Sequence, residues 1–258
     1  MCCIVLAKFD YFCILKLMSI HTLLLPASNR CATLSTKFVL MPELAQYLEH
    51  TVLKPDTAIS DIARVCEEAA QFGFAAVCIP PLYVREARNM LGERSRTRLA
   101  TVVGFPMGYS SISSKSDEIR RAMDEGASDI DAVLNISAVK SELWNHVSRD
   151  LDALTLATQS RGGTLKLILE CGLLTTDELV RVIGMARDAG LPWLKTGTGF
   201  HGHNATPEMV KNLVRLSGNQ FKIKAAGGIR TAEQAQALIE AGAHRIGTSS
   251  GMEMLKLR

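Results

Sequence analysis

The sequence predicts an α/β fold, a (β/α)8 TIM barrel, and three observations carry that expectation. From Met41 onward, short apolar runs rich in Val, Ile and Ala alternate with longer amphipathic segments, and there are eight such runs. Eight strands, each followed by a helix, is the count of a closed parallel barrel. The first run leads into KPDTAIS, without a glycine, whereas a doubly wound sheet usually opens with a glycine-rich turn after its first strand. Composition agrees: the chain is 47% hydrophobic but only 5% aromatic, which suits helices on a parallel sheet better than a β-sandwich. No Pro/Gly/Ser-rich linker divides residues 41–258, so they read as one domain, with residues 1–40 as an N-terminal extension.

The expected strands are TVL (51–53), AAVCI (75–79), LATVV (99–103), IDAVLN (130–135), LKLILE (165–170), WLKT (193–196), KIKAA (222–226) and RIGTS (245–249). Ahead of them, PELAQYLEH reads as a helix. SDIARVCEEAAQFGF has Ser60 as N-cap and places Ile62, Val65, Cys66 and Ala69 on one face. SKSDEIRRAMDEGA begins near Ser114 and stops at Gly126. TTDELVRVIGMARDAG is capped by Thr175 or Thr176 and stops at Gly190. TPEMVKNLVRLSG has Thr206 as cap, Pro207 at the first helical position and Gly218 as stop. TAEQAQALIEAGA runs from a Thr231 cap to Gly242.

The formal net charge is +3, and Lys8, Lys16, Arg30 and Lys37 against Asp10 account for all of it. A balanced remainder gives no basic stripe for nucleic acid. The seven cysteines include no C-x-x-C pair and no Cys/His cluster at zinc spacing. Cys66, Cys78 and Cys171 sit in apolar surroundings and read as packed free thiols of a reducing, cytoplasmic compartment. No uncharged apolar run approaches the ~20 residues of a membrane span. MCCIVLAKFDYFCILKLM is broken by Lys8, Asp10 and Lys16, a poor signal-peptide core. The extension reads as an organellar transit peptide or a misassigned start, Met18 and Met41 both offering later ones.

Barrel enzymes work at the carboxyl ends of their strands. Asp131, Lys195 and Lys224 lie inside or at the ends of apolar runs, and Glu170 ends LKLILE. Lys166 and Lys222 lie nearer strand starts, where they are expected to reach solvent. Buried charges need partners, so a structural ion-pair plug is one reading. The glycines favour another. AAGGIRTAEQ (225–234) is strand, Gly227-Gly228 and a capped helix; IGTSSGMEML (246–255) is strand, small polar residues and a short helix. Loops after strands seven and eight bind phosphate in many barrels, so a phosphorylated substrate is expected. Beside them, PWLKTGTGF places Lys195 at a strand end before small residues. A lysine attacks a carbonyl only as the free amine, and a second ammonium nearby disfavours the charged form. Lys224 can supply that charge, Asp131 can shuttle protons, and Lys195 would be a Schiff-base nucleophile.

LEHTVLKPDT, GFPMG, SDIDAVLNISAVKS, LKTGTGF, IKAAGGIRT and RIGTSSG resemble, in order, the signature segments of the 2-deoxyribose-5-phosphate aldolase family, over residues 42 to 255. The resemblance implies a class I aldolase of deoxynucleoside catabolism, a carbon–carbon lyase working through a lysine Schiff base with no cofactor and no metal. It would cleave 2-deoxy-D-ribose 5-phosphate reversibly to D-glyceraldehyde 3-phosphate and acetaldehyde. A Schiff-base aldolase for another small sugar phosphate is the alternative. By motif, the Schiff-base lysine falls on Lys195, the second lysine on Lys224 and the proton-relay aspartate on Asp131. Phosphate contacts fall on Thr198, Gly199, Gly227, Gly228, Ser249 and Ser250. Cys78 matches a cysteine near the family's active-site floor and reads as packing. The implied partner is a small phosphorylated sugar, with neither nucleic acid nor membrane, and a homodimer is the assembly such barrels suggest. The chain departs from the family pattern in five places: Gly197 stands where Ser is usual, Glu49 where Asp is, HGHNAT (201–206) replaces a more glycine-rich stretch, SSISSKSDE (110–118) replaces a Thr-rich one, and GTSSGMEMLKLR stops soon after the last motif. His201 and His203 read as loop surface.

Overall fold

The computed structural model describes residues 41–255, so the readings of residues 1–40 lie outside the described residues. Eight parallel strands close in sequence order: β1 (Leu48–Thr51), β2 (Ala76–Ile79), β3 (Arg98–Val103), β4 (Asp129–Val133), β5 (Thr164–Ile168), β6 (Trp193–Lys195), β7 (Lys222–Ala226) and β8 (Arg245–Thr248). β8 pairs back onto β1, with Leu48 opposite Ile246, so the sheet has no free edge. The helices are α1 (Met41–Ala45), α2 (Ile59–Phe72), α3 (Val84–Leu91), α4 (Ile112–Asp124), α5 (Ile136–Lys140), α6 (Trp144–Gln159), α7 (Thr176–Asp188), α8 (Pro207–Ser217), α9 (Ala232–Glu240) and α10 (Gly251–Leu255).

Strand alternation decides what faces what. Ile130 and Ala132 of β4, Leu165 and Leu167 of β5, Leu194 of β6, and Ile223 and Ala225 of β7 join the apolar layer beneath the helices. Their strand neighbours Asp129, Asp131, Lys166, Lys195 and Lys224 therefore point into the barrel. The helices meet that layer with the expected face of α2, where Ile62, Val65, Cys66 and Ala69 are all buried. Each fully buried Leu, Ile or Val stabilises by about 1.5–3 kcal/mol relative to exposure. The outer layer thus holds the barrel shut and leaves the interior free to carry charge.

Local chemistry sets the ends of the helices that face the site. Thr206 caps α8 by accepting from the Met209 N–H at 3.1 Å, Pro207 takes the first helical position, and Gly218 ends the helix at φ 60°. Thr175 and Glu178 cap α7 reciprocally, as Thr231 and Gln234 do for α9. Two starts differ from expectation. α2 begins one residue before Ser60, because Asp61 reaches back to the Ala58 N–H at 3.0 Å and fixes the first turn there. α4 begins at Ile112 because Ser111 accepts from the Ser114 N–H at 3.1 Å.

The larger correction is at the start of the barrel. PELAQYLEH is helical only to Ala45, and the first strand is LEHT at 48–51, not TVL at 51–53. The helical reading followed the local pattern. Pairing of Glu49 with Ala76 on one side and Gly247 on the other decides the segment instead.

Candidate active site

The interior charges form one connected network. Lys195 donates to Asp131 Oδ2 at 2.8 Å, and Lys224 donates to the same oxygen at 2.6 Å. The two lysines are cross-strand partners on β6 and β7, which brings both ammonium groups to one carboxylate. Lys224 also pairs with Glu49 of β1. Lys166 of β5 donates to Asp129 at 2.6 Å and lies 3.3 Å from Asp131 Oδ1 and 3.5 Å from Glu49 Oε2. Arg98, at the start of β3, closes the network by donating from Nε to Asp129 at 2.6 Å. Gly247 makes room for this layer: a Cβ there would sit 3.0 Å from Lys224 Cε.

Burial and charge work against each other on these groups. Burial pushes the Asp131 carboxyl up, but the Lys195, Lys224 and Lys166 ammonium groups outweigh it and hold the acid well below the usual carboxylate range. Burial lowers the Lys224 ammonium, and Asp131 and Glu49 reverse that, so it stays protonated. Lys166 is likewise driven upward, with Glu49, Asp131 and Asp129 overcoming its burial. The Cys78 thiol, fully buried beside the network, is pushed up to about 12 by burial and stays protonated. Glu49, Cys78 and Asp131 bring ligand-type atoms within 4.8 Å of one another. Both carboxylates already hold ammonium groups and the thiol keeps its proton, so this donor set suits lysines better than a metal ion.

A cavity of about 250 Å³ opens over the network at the carboxyl ends of the strands. Lys195 and Lys224 line it together with Thr198, Gly199, Gly227, Gly228 and Ser249. Of the sequence-predicted residues, Asp131 lies beneath the two lysines, and Ser250 falls outside the cavity lining with its N–H held by Thr248 Oγ1 at 2.9 Å. Thr198 lines the cavity, but both its backbone N–H and its hydroxyl donate to Glu170 Oε2, at 3.0 and 2.5 Å. A larger hollow of about 1010 Å³, between Gln46, Leu91 and Arg96, contains none of the interior charges, so size alone does not mark the site.

The loops that shape the cavity are tied to the strands beneath. The Thr196 hydroxyl donates to the Ala226 carbonyl at 2.9 Å and accepts from the Ala226 N–H at 3.0 Å, which clamps the ends of β6 and β7 together. Gly227 and Gly228, at φ 110° and 70°, let the 203–205 segment lie over them. A Cβ on Gly228 would run into the Asn204 side chain, and one on Gly227 would approach the His203 carbonyl to 3.1 Å. His203 is an exposed loop residue, as expected, with its ring against Gly172, while His201 is half-buried with Nε2 3.4 Å from the Pro106 carbonyl.

Sequence reasoning missed four members of the network, one of them Arg98 at the start of β3. Lys166 was expected to reach solvent from the start of its strand, yet it is completely buried between carboxylates of β4 and β1. Asp129 is its partner, and the i, i+2 spacing of Asp129 and Asp131 on one strand was the available signal. Glu49 was assigned to a helix, and only the strand pairing of LEHT brings it inside. At the cavity mouth, Lys54 and Arg230 add two cations that the motifs did not single out.

Comparison with known proteins agrees with the geometry. Residues 44–256 match the family described as DeoC/LacD family aldolase. The deoxyribose-phosphate aldolase of Thermococcus gammatolerans is 41% identical over 215 residues, covering 83% of this chain and 96% of that one. The deoxyribose-phosphate aldolase of Desulfitobacterium hafniense is 42% identical over 212 residues, covering 82% and 97%. A tetrameric deoxyribose phosphate aldolase from Aeropyrum pernix superposes with a TM-score of 0.77 at 30% identity, covering 83% of this chain and 90% of that one. Among the described residues, no helix is long and apolar enough to cross a membrane. The barrel, the order of the motifs and these relatives place the chain in the DeoC/LacD aldolase family, as an enzyme that makes and breaks carbon–carbon bonds.

Proposed function

We infer that this aldolase cleaves 2-deoxy-D-ribose 5-phosphate through a Schiff base on Lys195. The observation that carries the reading is the sharing of Asp131 Oδ2 by Lys195 and Lys224 at the floor of the cavity. Counting Arg98, the network holds four cations against three carboxylates. Of these cations only Lys195 and Lys224 line the cavity, and Lys224 is held protonated by Asp131 and Glu49, so the nucleophile's role falls to Lys195.

The chemistry then follows. The Lys195 amine adds to the C1 aldehyde of the open-chain sugar, and the carbinolamine loses water to give an iminium. The C3 hydroxyl gives up its proton and the C2–C3 bond breaks, its electron pair passing into the iminium. Glyceraldehyde 3-phosphate leaves, and an enamine of acetaldehyde remains on Lys195. Protonation at C2 and hydrolysis of the imine release acetaldehyde and restore the amine. The iminium nitrogen is the electron sink, so the reading calls for no metal. Asp131, held ionised beneath both lysines, is the group placed to receive and return the proton. The phosphate would lie toward Gly199, Gly227, Gly228 and Ser249, with Lys54 and Arg230 adding charge at the mouth.

A second reading keeps the Schiff base and changes the sugar phosphate. The Asn204 side chain standing over Gly228 supports it, since it narrows the loop expected to take the phosphate. Borohydride trapping tests both. Incubation with 2-deoxyribose 5-phosphate, reduction and peptide mapping should place a reduced adduct on Lys195. A folded protein that gives no adduct with this sugar, but gives one with another sugar phosphate, would select the second reading. An adduct on a different lysine would sink the mechanism.

A further inference from the structure

Glu170 stands apart from the carboxylates of the interior network. Its Oε2 accepts from the Thr198 N–H at 3.0 Å and from the Thr198 hydroxyl at 2.5 Å. The same hydroxyl oxygen accepts from the Phe200 N–H at 3.1 Å, so one buried carboxylate orders the loop from Thr198 to Phe200. The backbone is shaped to deliver it. Glu170 has φ 52°, a left-handed conformation unusual for a residue with a side chain. Its neighbours anchor the turn on β6: the Leu169 N–H donates to the Lys195 carbonyl at 3.0 Å and the Cys171 N–H to the Thr196 carbonyl at 2.8 Å.

A buried carboxylate beside a cavity meant for an anion is electrostatically unfavourable, so its place there calls for a compensating role. Gly197 makes that place available. A Cβ at 197 would lie 2.6 Å from Glu170 Oε1, and the usual Ser of the motif would compete for the same space. Two residues on, Gly199 turns at φ 82° along the cavity wall, and its N–H bonds to no protein acceptor among the described residues. Resting on the reading above, we propose that Glu170 is a positioning residue for the substrate's phosphate group. It takes both donors of Thr198, fixes the turn through Phe200, and so presents the Gly199 backbone to the anion. Gly197 gives its carboxylate the room to do this.

Inorganic phosphate is the probe, because its binding needs no turnover. The full chain, Glu170→Gln and Gly197→Ala are compared by calorimetry with phosphate, and by cleavage of 2-deoxyribose 5-phosphate and of unphosphorylated 2-deoxyribose. Glu170→Gln keeps the size of the side chain and removes the charge from its hydrogen bonds. Gly197→Ala meets only the far end of a flexible side chain, so it should displace the carboxylate and leave the fold intact, and it carries the test if Glu170→Gln does not fold. Both variants should weaken phosphate binding and raise KM for the phosphorylated sugar by about tenfold or more, the loss of charge-assisted bonds. The kcat and the reaction of the unphosphorylated sugar should stay within about twofold, as neither depends on holding the anion. Undetectable phosphate binding by the wild type, unchanged binding in the variants, or equal losses on the two sugars would overturn the assignment. A wild type that binds phosphate but cleaves neither sugar would instead reject the substrate reading, and the binding comparison would still decide the role of Glu170.

Discussion

The barrel contains two buried lysine–carboxylate groups, and they differ in a way that separates structure from chemistry. Behind β3 and β4, Lys115 of α4 donates to Asp150 of α6 at 2.5 Å and to the Val133 carbonyl at 3.1 Å. It is a closed pair, packed against Gly104, and it lines none of the cavities described above. Inside the barrel, Asp131 is shared by three lysines, and two of them line a cavity. Burial is nearly complete in both groups, so burial alone says nothing about function. What distinguishes the interior network is an excess of cations over carboxylates together with an opening through which a substrate can reach one of them.

Substitutions should pull the two groups apart. The largest effect is expected from Lys195→Ala, which should lower turnover about a thousandfold or more while shifting Tm little, because the alanine leaves Asp131 still paired with Lys224 and Lys166. Steady-state rates and a thermal melt check it, and substantial residual activity would remove Lys195 from the mechanism. Lys224→Leu comes next. It strips Glu49 and Asp131 of one of the two lysines they share and removes the ammonium beside Lys195, so activity should fall by about two orders of magnitude and stability should fall with it. Lys115→Met is the contrast. Breaking a closed buried pair should cost about 3–5 kcal/mol in urea unfolding, while kcat and KM of the folded fraction stay within about twofold. Loss of turnover in a stable Lys115→Met protein would dissolve the distinction.

That distinction was only half legible in the sequence. Lys195, Lys224 and Asp131 could be read because each is an ionisable residue in an apolar run whose local pattern is strand, and the two lysines are followed by small residues. The eight-strand count could be read for the same reason, since a parallel strand announces itself by a short apolar run. Glu49 could not, because LEHT continues a plausible helix and becomes a strand only through its partners on β2 and β8. Lys166 was misread because its place near the start of β5 suggested solvent, whereas strand tilt in a closed barrel brings it level with Asp131 across the pair. The tie between Glu170 and Thr198 spans 28 residues and depends on a left-handed turn, which no local pattern specifies. Non-local pairing is what completed the site, and pairing is what a single sequence states least directly.

The smallest expected effect tests the same contrast through pH. The three lysines depress Asp131 in the fold despite its burial, and Lys166 and Arg98 do the same for Asp129. Each therefore contributes stability that is fully present above the unfolded carboxylate value, about 3.9, and is lost as pH falls through the depressed folded value. Asp150 has the opposite sign. Burial raises it, and the Lys115 ammonium only partly offsets that. Ionising Asp150 thus costs stability as pH rises from the unfolded value toward the raised one, and acidification returns that stability. The double variant Lys115→Met/Asp150→Leu removes the returning contribution and leaves the interior network untouched. Its urea midpoint should fall more steeply than that of the wild type between about pH 6 and pH 3. Parallel slopes would mean that Asp150 makes no pH-dependent contribution, and a shallower fall in the variant would mean that it is paired as favourably as Asp131, the two groups then differing only in their access to the cavity.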